Sequence, residues 1–185
     1  MRFDYIIIGG GSAGCVLANR LSKNSKNSVV LIEAGSDNTN PWIHIPIGYF
    51  KTLNNPKTDW CYKTEPEIEL NNRILSWPRG KVIGGSSSIN GLLYVRGQPE
   101  DFDSWQFVNG NLGWSWENVS PYFRKLENWT GPNFKKIRGE TGPVQITESK
   151  IEREVVNNWL KSAQAAGYMK TYDYNISQEG VGIFQ

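Results

Sequence analysis

"FDYIIIGGGSAGCVLANRLSKNSKNSVVLIE", Phe3 to Glu33, decides the fold of this chain. Phe3 to Ile8 is a run of aromatic and β-branched residues, the pattern of a strand buried in a parallel sheet. Gly9, Gly11 and Gly14 follow at once in G-x-G-x-x-G spacing. A helical pattern comes next, with Ala13, Val16, Leu17 and Leu21 on one face. Ser28 to Glu33 is a second apolar strand that ends in an acid. Strand, glycine loop, helix, strand and acid make a complete βαβ opening, which predicts an α/β, Rossmann-like dinucleotide-binding fold.

Each part has a physical task. Gly9 permits the tight turn, and Gly11 lets a pyrophosphate approach the backbone with no Cβ in the way. Gly14, with Ala18 one turn later, lets the helix lie close on the strands. The helix N-terminus offers free N–H groups and a partial positive charge to phosphates. Glu33 can accept from a ribose hydroxyl pair and would repel a 2′-phosphate, which disfavours an NADP-type ligand. Nothing in this unit chooses between NAD and FAD.

Composition narrows the class. The chain has 185 residues with 38% hydrophobic, 21% charged and a formal net charge of +2, as in an ordinary globular protein. The nearest thing to a basic stripe is Lys135, Lys136 and Arg138, which reads as a solvated loop, so a nucleic-acid partner is not expected. Cys15 and Cys61 sit in no pair or metal spacing. Cys15 reads as a small buried hydrophobe. Met1 and Arg2 lead straight into a strand rather than a signal peptide, and no apolar run approaches the roughly 20 residues that span a bilayer. A soluble cytoplasmic protein is the default, with peripheral membrane association left open. The three Asn-x-Ser/Thr sequons, at Asn118, Asn128 and Asn175, mean little without a secretory route.

Gly35 to Pro78 is rich in Pro, Asn and Asp and reads as a loop-rich cover. It contains the single histidine, His44, between Ile43 and Ile45. With no carboxylate or thiol cluster beside it in sequence, His44 reads as structural rather than catalytic or metal-binding. Then comes "RGKVIGGSSSINGLLYVRG", Arg79 to Gly97. Gly84 and Gly85 allow positive φ or close backbone approach, and Ser86, Ser87 and Ser88 are cap and turn residues. A helix or extended apolar segment is expected from Ile89 to Val95, with Asn90 requiring a partner wherever it is buried. From the residues alone, a capped helix and a ligand loop stand level here.

A resemblance separates them. Gly80, Lys81, Ile83, Gly84, Gly85, Ser86, Ser87, Ile89, Asn90, Tyr94, Gly97 and Asp103 match, position by position, the first signature of the glucose–methanol–choline (GMC) oxidoreductases. Glu33-Ala34-Gly35, "TDWCYKTEPE", "GWSWENVSPYFRKLEN" and "RGETGPVQI" also resemble that family, most of all its bacterial choline- and alcohol-dehydrogenase branch. The resemblance implies FAD as cofactor. It places Gly9, Gly11, Ser12, Ala13 and Gly14 at the pyrophosphate, and Glu33 and Ala34 at the ribose. Arg79, Val82, Gly84, Gly85, Ser86, Asn90, Gly91, Leu92 and Val95 would then face the pyrophosphate and isoalloxazine. Some members attach FAD through a histidine in this loop. Ile89 stands at that place here, so a noncovalent flavin is expected.

Beyond the signature, Pro99 to Phe107 predicts a short helix. Ser115 to Asn128 predicts another, capped by Ser115 or starting near Pro121. Pro143 to Thr147 is strand-like. Lys150 to Ala166 predicts an amphipathic helix with Ile151, Val155, Trp159, Ala163 and Ala166 on its buried face, ended by Gly167. The Trp and Tyr stripe here reads as core.

The resemblance divides the chain into an FAD-binding part, residues 1–147, and a segment, 148–185, that leads into a substrate domain. The FAD-binding part comprises the βαβ unit at 3–35, the cover at 36–78 and the signature loop at 79–103. The family's catalytic pair, a His with a His or Asn, lies far toward the C-terminus, and no residue here matches it. The parent protein is therefore expected to oxidise a small alcohol to a carbonyl compound. This chain is expected to be inactive until a missing C-terminal half or complementary chain joins it. The rival is a non-catalytic flavin- or nucleotide-binding module or gene remnant. An NAD-dependent dehydrogenase is disfavoured, because no proton-relay constellation accompanies the loop.

Overall fold

A computed structural model describes residues 1–133, 137–150 and 153–185. Two compact units are present, Met1–Leu92 and Leu93–Gln185.

The first unit opens as the sequence predicts. Strand β1, Tyr5–Ile8, runs into helix α1, Ser12–Leu21, and returns as β2, Val29–Ile32. The strands pair in parallel, with Tyr5 opposite Val29 and Ile8 opposite Ile32. Gly14 makes this packing possible: a Cβ there would stand 1.9 Å from the Gly9 carbonyl oxygen. Burial departs from expectation. Successive side chains of a strand point to opposite faces, and only Ile7 is covered, while Ile8 is 86% exposed and Ile6 and Ile32 are also open. One side of the pair is sheltered and the other has no cover within the unit. Cys15 is half-buried rather than buried, and its Sγ–H donates to the Gly10 carbonyl at 3.2 Å.

The segment from Gly35 to Pro78 is mostly turns. It carries a short helix α2, Tyr49–Thr52, and a two-residue hairpin of β3, Tyr62–Lys63, with β4, Ser76–Trp77. Its firmest point is Asp59, which is buried. The Asp59 carboxylate accepts from the backbone N–H of Asn54 at 2.7 Å and from those of Cys61 and Arg79 at 2.9 Å. Together with Lys81 N–H donating to Thr58 C=O at 2.8 Å, these bonds brace the start of the signature loop.

The second unit contains α3, Pro99–Phe107, and α4, Trp116–Leu126. It also contains β5, Glu127–Trp129, parallel to β6, Val144–Ile146, and then α5, Glu154–Ala165. Helix α4 starts behind Ser115, and Pro121 lies inside it rather than at its head. Asp103 Oδ1 accepts the Trp116 N–H at 2.8 Å, so α3 supplies a carboxylate to the positive end of α4. Helix α5 begins at Glu154, later than the Lys150 start expected, and Ile151 lies outside the described residues. Its buried residue is Leu160, while Val155 and Trp159 of the expected core face are exposed. Of the Trp–Tyr stripe expected to be core, Trp129 is buried, whereas Trp159 and Tyr168 are exposed.

The core of this unit is partly ionic. Arg138 is 3% exposed, not part of a solvated loop, and Lys135 and Lys136 lie outside the described residues. Its guanidinium donates to Glu127 Oε2 at 2.6 Å and to Asp173 Oδ2 at 2.7 Å, and stacks on Trp129 at 4.3 Å. Arg96 pairs with the other oxygen of Glu127. Burial pulls the Arg96 guanidinium below the usual arginine range. Asn175, read as an idle sequon, is buried and accepts the Arg96 N–H at 2.8 Å.

Candidate functional site: two glycine loops closed on one another

The two glycine-rich loops, far apart in sequence, meet in the first unit. Gly9 has φ +96° and donates its N–H to Ile32 C=O at 2.7 Å, which turns the chain out of β1 and toward α1. Gly11 takes the cap position of α1 without a capping side chain, and the first turn holds no acid. The N–H groups of that turn therefore face outward with no intrahelical acceptor. On the other side, Gly84 (φ +92°) and Gly85 (φ +59°) lead into a 3₁₀ turn, Gly85–Ser88. Gly84, not a serine, is the cap of this turn, and the three serines lie within it.

Three contacts close the loops. Gly84 N–H donates to Gly10 C=O at 2.7 Å. Ser12 and Ser87 share a hydroxyl–hydroxyl hydrogen bond of 2.7 Å. A Cβ on Gly85 would stand 2.8 Å from Gly11 Cα, so backbone rests on backbone. At Gly11 the position is different. A Cβ there would meet nothing nearer than Gly85 Cα at 3.9 Å. Internal packing leaves room for a side chain at Gly11, and its lack of one allows close approach to the N-terminus of α1. Such a cradle fits a pyrophosphate, and with it a dinucleotide cofactor.

The remaining candidates fall around this junction. Ala13 is exposed on the first turn of α1, and Gly14 is buried beneath it. Glu33 is half-buried at the end of β2, and both its oxygens are engaged: Oε2 accepts Gly10 N–H at 2.6 Å, and Oε1 accepts Gly35 N–H at 2.9 Å. Ala34 is exposed beside it. The Arg79 guanidinium is exposed, lies over Trp77 at 5.3 Å and donates to Pro78 C=O. Val82 is 0% exposed, so only its backbone could face a ligand. Ser86 Oγ accepts Gly80 N–H at 3.1 Å.

Past the turn the chain forms neither helix nor strand. Ile89 is the buried residue, at 2% exposure, and Asn90 is exposed, accepting Leu92 N–H at 3.0 Å. A Cβ on Gly91 would meet nothing within 4 Å, and Leu92 is exposed with φ +64°. Val95 belongs to the second unit.

Sequence reasoning assigned no site role to Gly10, Ser87, Gly35 or Asp59. Gly10 occupies a free position of the motif, yet its N–H and C=O both serve the junction. No local signal marks Asp59, whose partners lie as far away as Arg79. His44 is exposed, with Nε2 2.6 Å from Asn38 C=O. Among the described residues no group of three or more His, Cys, Asp or Glu could hold a metal ion, and no helix is long and apolar enough to cross a membrane.

Comparison with known proteins agrees with this arrangement. The family model described as GMC oxidoreductase, for the N-terminal portion, matches residues 3–185. The oxygen-dependent choline dehydrogenase of Sinorhizobium fredii is 44% identical over the whole chain, which covers 34% of that protein. An alcohol dehydrogenase [acceptor] of Pseudomonas putida is 41% identical over 99% of the chain and 33% of its own length. Among solved structures, pyridoxine 4-oxidase from Mesorbium loti superposes with a TM-score of 0.85 at 32% identity, over 94% of this chain and 34% of that one. The chain thus spans about a third of the length of the relatives it matches. An end-to-end family match, over two glycine loops joined as described, makes this chain a member of the GMC oxidoreductase family.

Proposed function

We propose that the chain is the FAD-binding N-terminal portion of a flavoprotein that oxidises a small alcohol to an aldehyde or ketone. The observation that carries this reading is the junction of the two loops. It sets the bare N-terminus of α1 beside a second run of glycine backbone, in a chain matched along its length by a family of oxidoreductases. Bound FAD would supply the acceptor for the hydride removed from the alcohol carbon. The residues of this chain would bind and orient. Gly9, Gly11, Ser12, Ala13 and Gly14 would hold the pyrophosphate, with Glu33 and Ala34 toward the ribose. Arg79, the backbone of Val82, Gly84, Gly85, Ser86, Asn90, Gly91 and Leu92 would serve the remainder of the cofactor.

Ile89 stands where the family resemblance puts a linking histidine in some members. It is aliphatic and buried, which supports a noncovalent flavin. Relatives named for choline and for alcohol support an alcohol substrate. In this reading residues 1–147 serve the cofactor and 148–185 lead toward the substrate, a division by role that does not coincide with the compact units.

Reconstitution tests the proposal. The purified chain, incubated with FAD and passed through a desalting column, should keep the flavin absorbance band. Acid precipitation should then release all the yellow colour into the supernatant. A chain that emerges colourless lacks the proposed site, and colour that stays with the precipitate rules out noncovalent attachment. The loaded chain should show no alcohol oxidation by itself. The only histidine, His44, is occupied with a main-chain carbonyl, which also favours a second reading as a non-catalytic flavin module. Restored turnover on adding the C-terminal part of a relative would separate the two.

A further inference from the structure

The acid that ends β2 is, in the reading above, a ribose ligand. Its geometry shows a different occupation. Glu33 Oε2 accepts Gly10 N–H in a short, charge-assisted bond of 2.6 Å, and Oε1 accepts Gly35 N–H at 2.9 Å. Both donors go on to touch the signature loop. Gly10 C=O accepts Gly84 N–H at 2.7 Å. Gly35 is packed so closely on Lys81 that a Cβ would stand 2.0 Å from its carbonyl oxygen. The next residue, Ser36, bridges to Val82 and accepts Ile83 N–H at 3.0 Å. Gly10 is itself pinned: a Cβ would lie 2.8 Å from Ile83 Cδ1 and 3.2 Å from Glu33 Oε2. The carboxylate thus sits at the centre of a ring of backbone that runs from the first glycine loop to the second and back.

We infer that Glu33 is a positioning residue for the phosphate cradle, acting on a dinucleotide mainly through the two loops and only secondarily through the ribose hydroxyls. The inference rests on the FAD-binding reading and deepens it. With the carboxylate in place, Gly10 presents its carbonyl to Gly84, and the two glycine backbones stay in register before any ligand arrives. A neutral amide in its place keeps one acceptor and turns an N–H₂ toward the other N–H donor, so one of the two bonds is lost.

Paired ligands separate the two roles. Binding of ADP and of 2′,3′-dideoxyadenosine diphosphate would be measured by calorimetry on the full chain and on Glu33→Gln. A ribose role predicts that the substitution weakens ADP and leaves the dideoxy compound unaffected. A loop role predicts about a tenfold loss on both, the scale of one hydrogen bond to a charged acceptor. A loss of less than about threefold on the dideoxy ligand overturns the inference. If the wild-type chain binds neither ADP nor FAD, the FAD-binding reading fails and takes this inference with it.

Amide hydrogen exchange gives a second measurement that needs no ligand. Gly10, Gly35 and Gly84 should be protected in the wild-type chain. Glu33→Gln should speed exchange at Gly84, which Glu33 does not touch. Unchanged exchange at Gly84 overturns the coupling. Should the variant fail to fold, fast exchange at Gly10 and Gly35 in the wild-type chain overturns it equally.

Discussion

Glu127 has no exposed surface and two arginines upon it, Arg138 on one oxygen and Arg96 on the other. Replacing it by alanine leaves two buried guanidinium groups short of a counter-charge. Glu127→Ala should therefore cost about 3–5 kcal/mol, the range for breaking a buried ion pair from one side. A urea titration of the variant would measure it, and a loss below about 1 kcal/mol would show that the cluster is hydrated rather than paired. Asp4 is the contrasting case, fully exposed. It is held below the usual carboxylate range by the Ser28 side chain first and the Ser28 backbone second, with desolvation opposing. A carboxylate depressed in the folded state stabilises above its unfolded pKa, and that contribution is lost as pH falls through the folded value. Ser28→Ala should raise the Asp4 pKa only part of the way back, because the hydroxyl bond is lost while the backbone N–H of residue 28 still donates; side-chain carboxyl NMR during acid titration would follow it. Neither interaction was legible in sequence. Arg138 looked like one of a basic trio because its partners, Glu127 and Asp173, lie 11 and 35 residues away.

The elements that sequence anticipated well are those whose signals are local. Helix α3 occupies Pro99–Phe107 as predicted, since Pro in its first turn and acids at its start act on their own neighbours. The βαβ opening and its parallel register follow from glycine spacing and strand composition in the same way. Pro121 was a weaker guide. Of the two starts left open, that at Ser115 holds: α4 begins five residues before Pro121, where Asp103 of α3 meets the Trp116 N–H. A tertiary cap overrode a local breaker. Pro121 therefore sits in the helix without an N–H to give, and Pro121→Ala should stabilise the chain by up to about 3 kcal/mol. A rise in melting temperature would show this, and an unchanged or lower one would mean that the ring packs usefully where it is.

At the scale of the whole molecule, burial was the least legible property. A strand rich in isoleucine reads as buried, but burial is supplied by what lies across from it. The bare face of the β1–β2 pair exposes Ile6, Ile8 and Ile32, and α5 exposes Val155 and Trp159. Apolar surface of this kind is uncommon on a lone soluble domain. The chain at raised concentration should self-associate and bind a hydrophobic dye, by sedimentation velocity and fluorescence respectively. Ile8→Lys, on the most open position of the pair, should reduce both. A monodisperse, dye-silent wild-type chain would contradict this. The candidate site was legible in part for the same reason. The motif glycines could be named one by one, but not that Gly10 and Ser87 would join them, because that depends on which loop comes to rest on which.

The hydroxyl pair of Ser12 and Ser87 spans 75 positions of chain. A junction so distant in sequence is a late event in the life of the polypeptide. The glycine turn behind β1 leaves the ribosome well before its counterpart exists, and closing that length of loop is an entropic delay set by chain length. During translation the first glycine loop therefore has no partner to close on until Gly84 and Ser87 emerge.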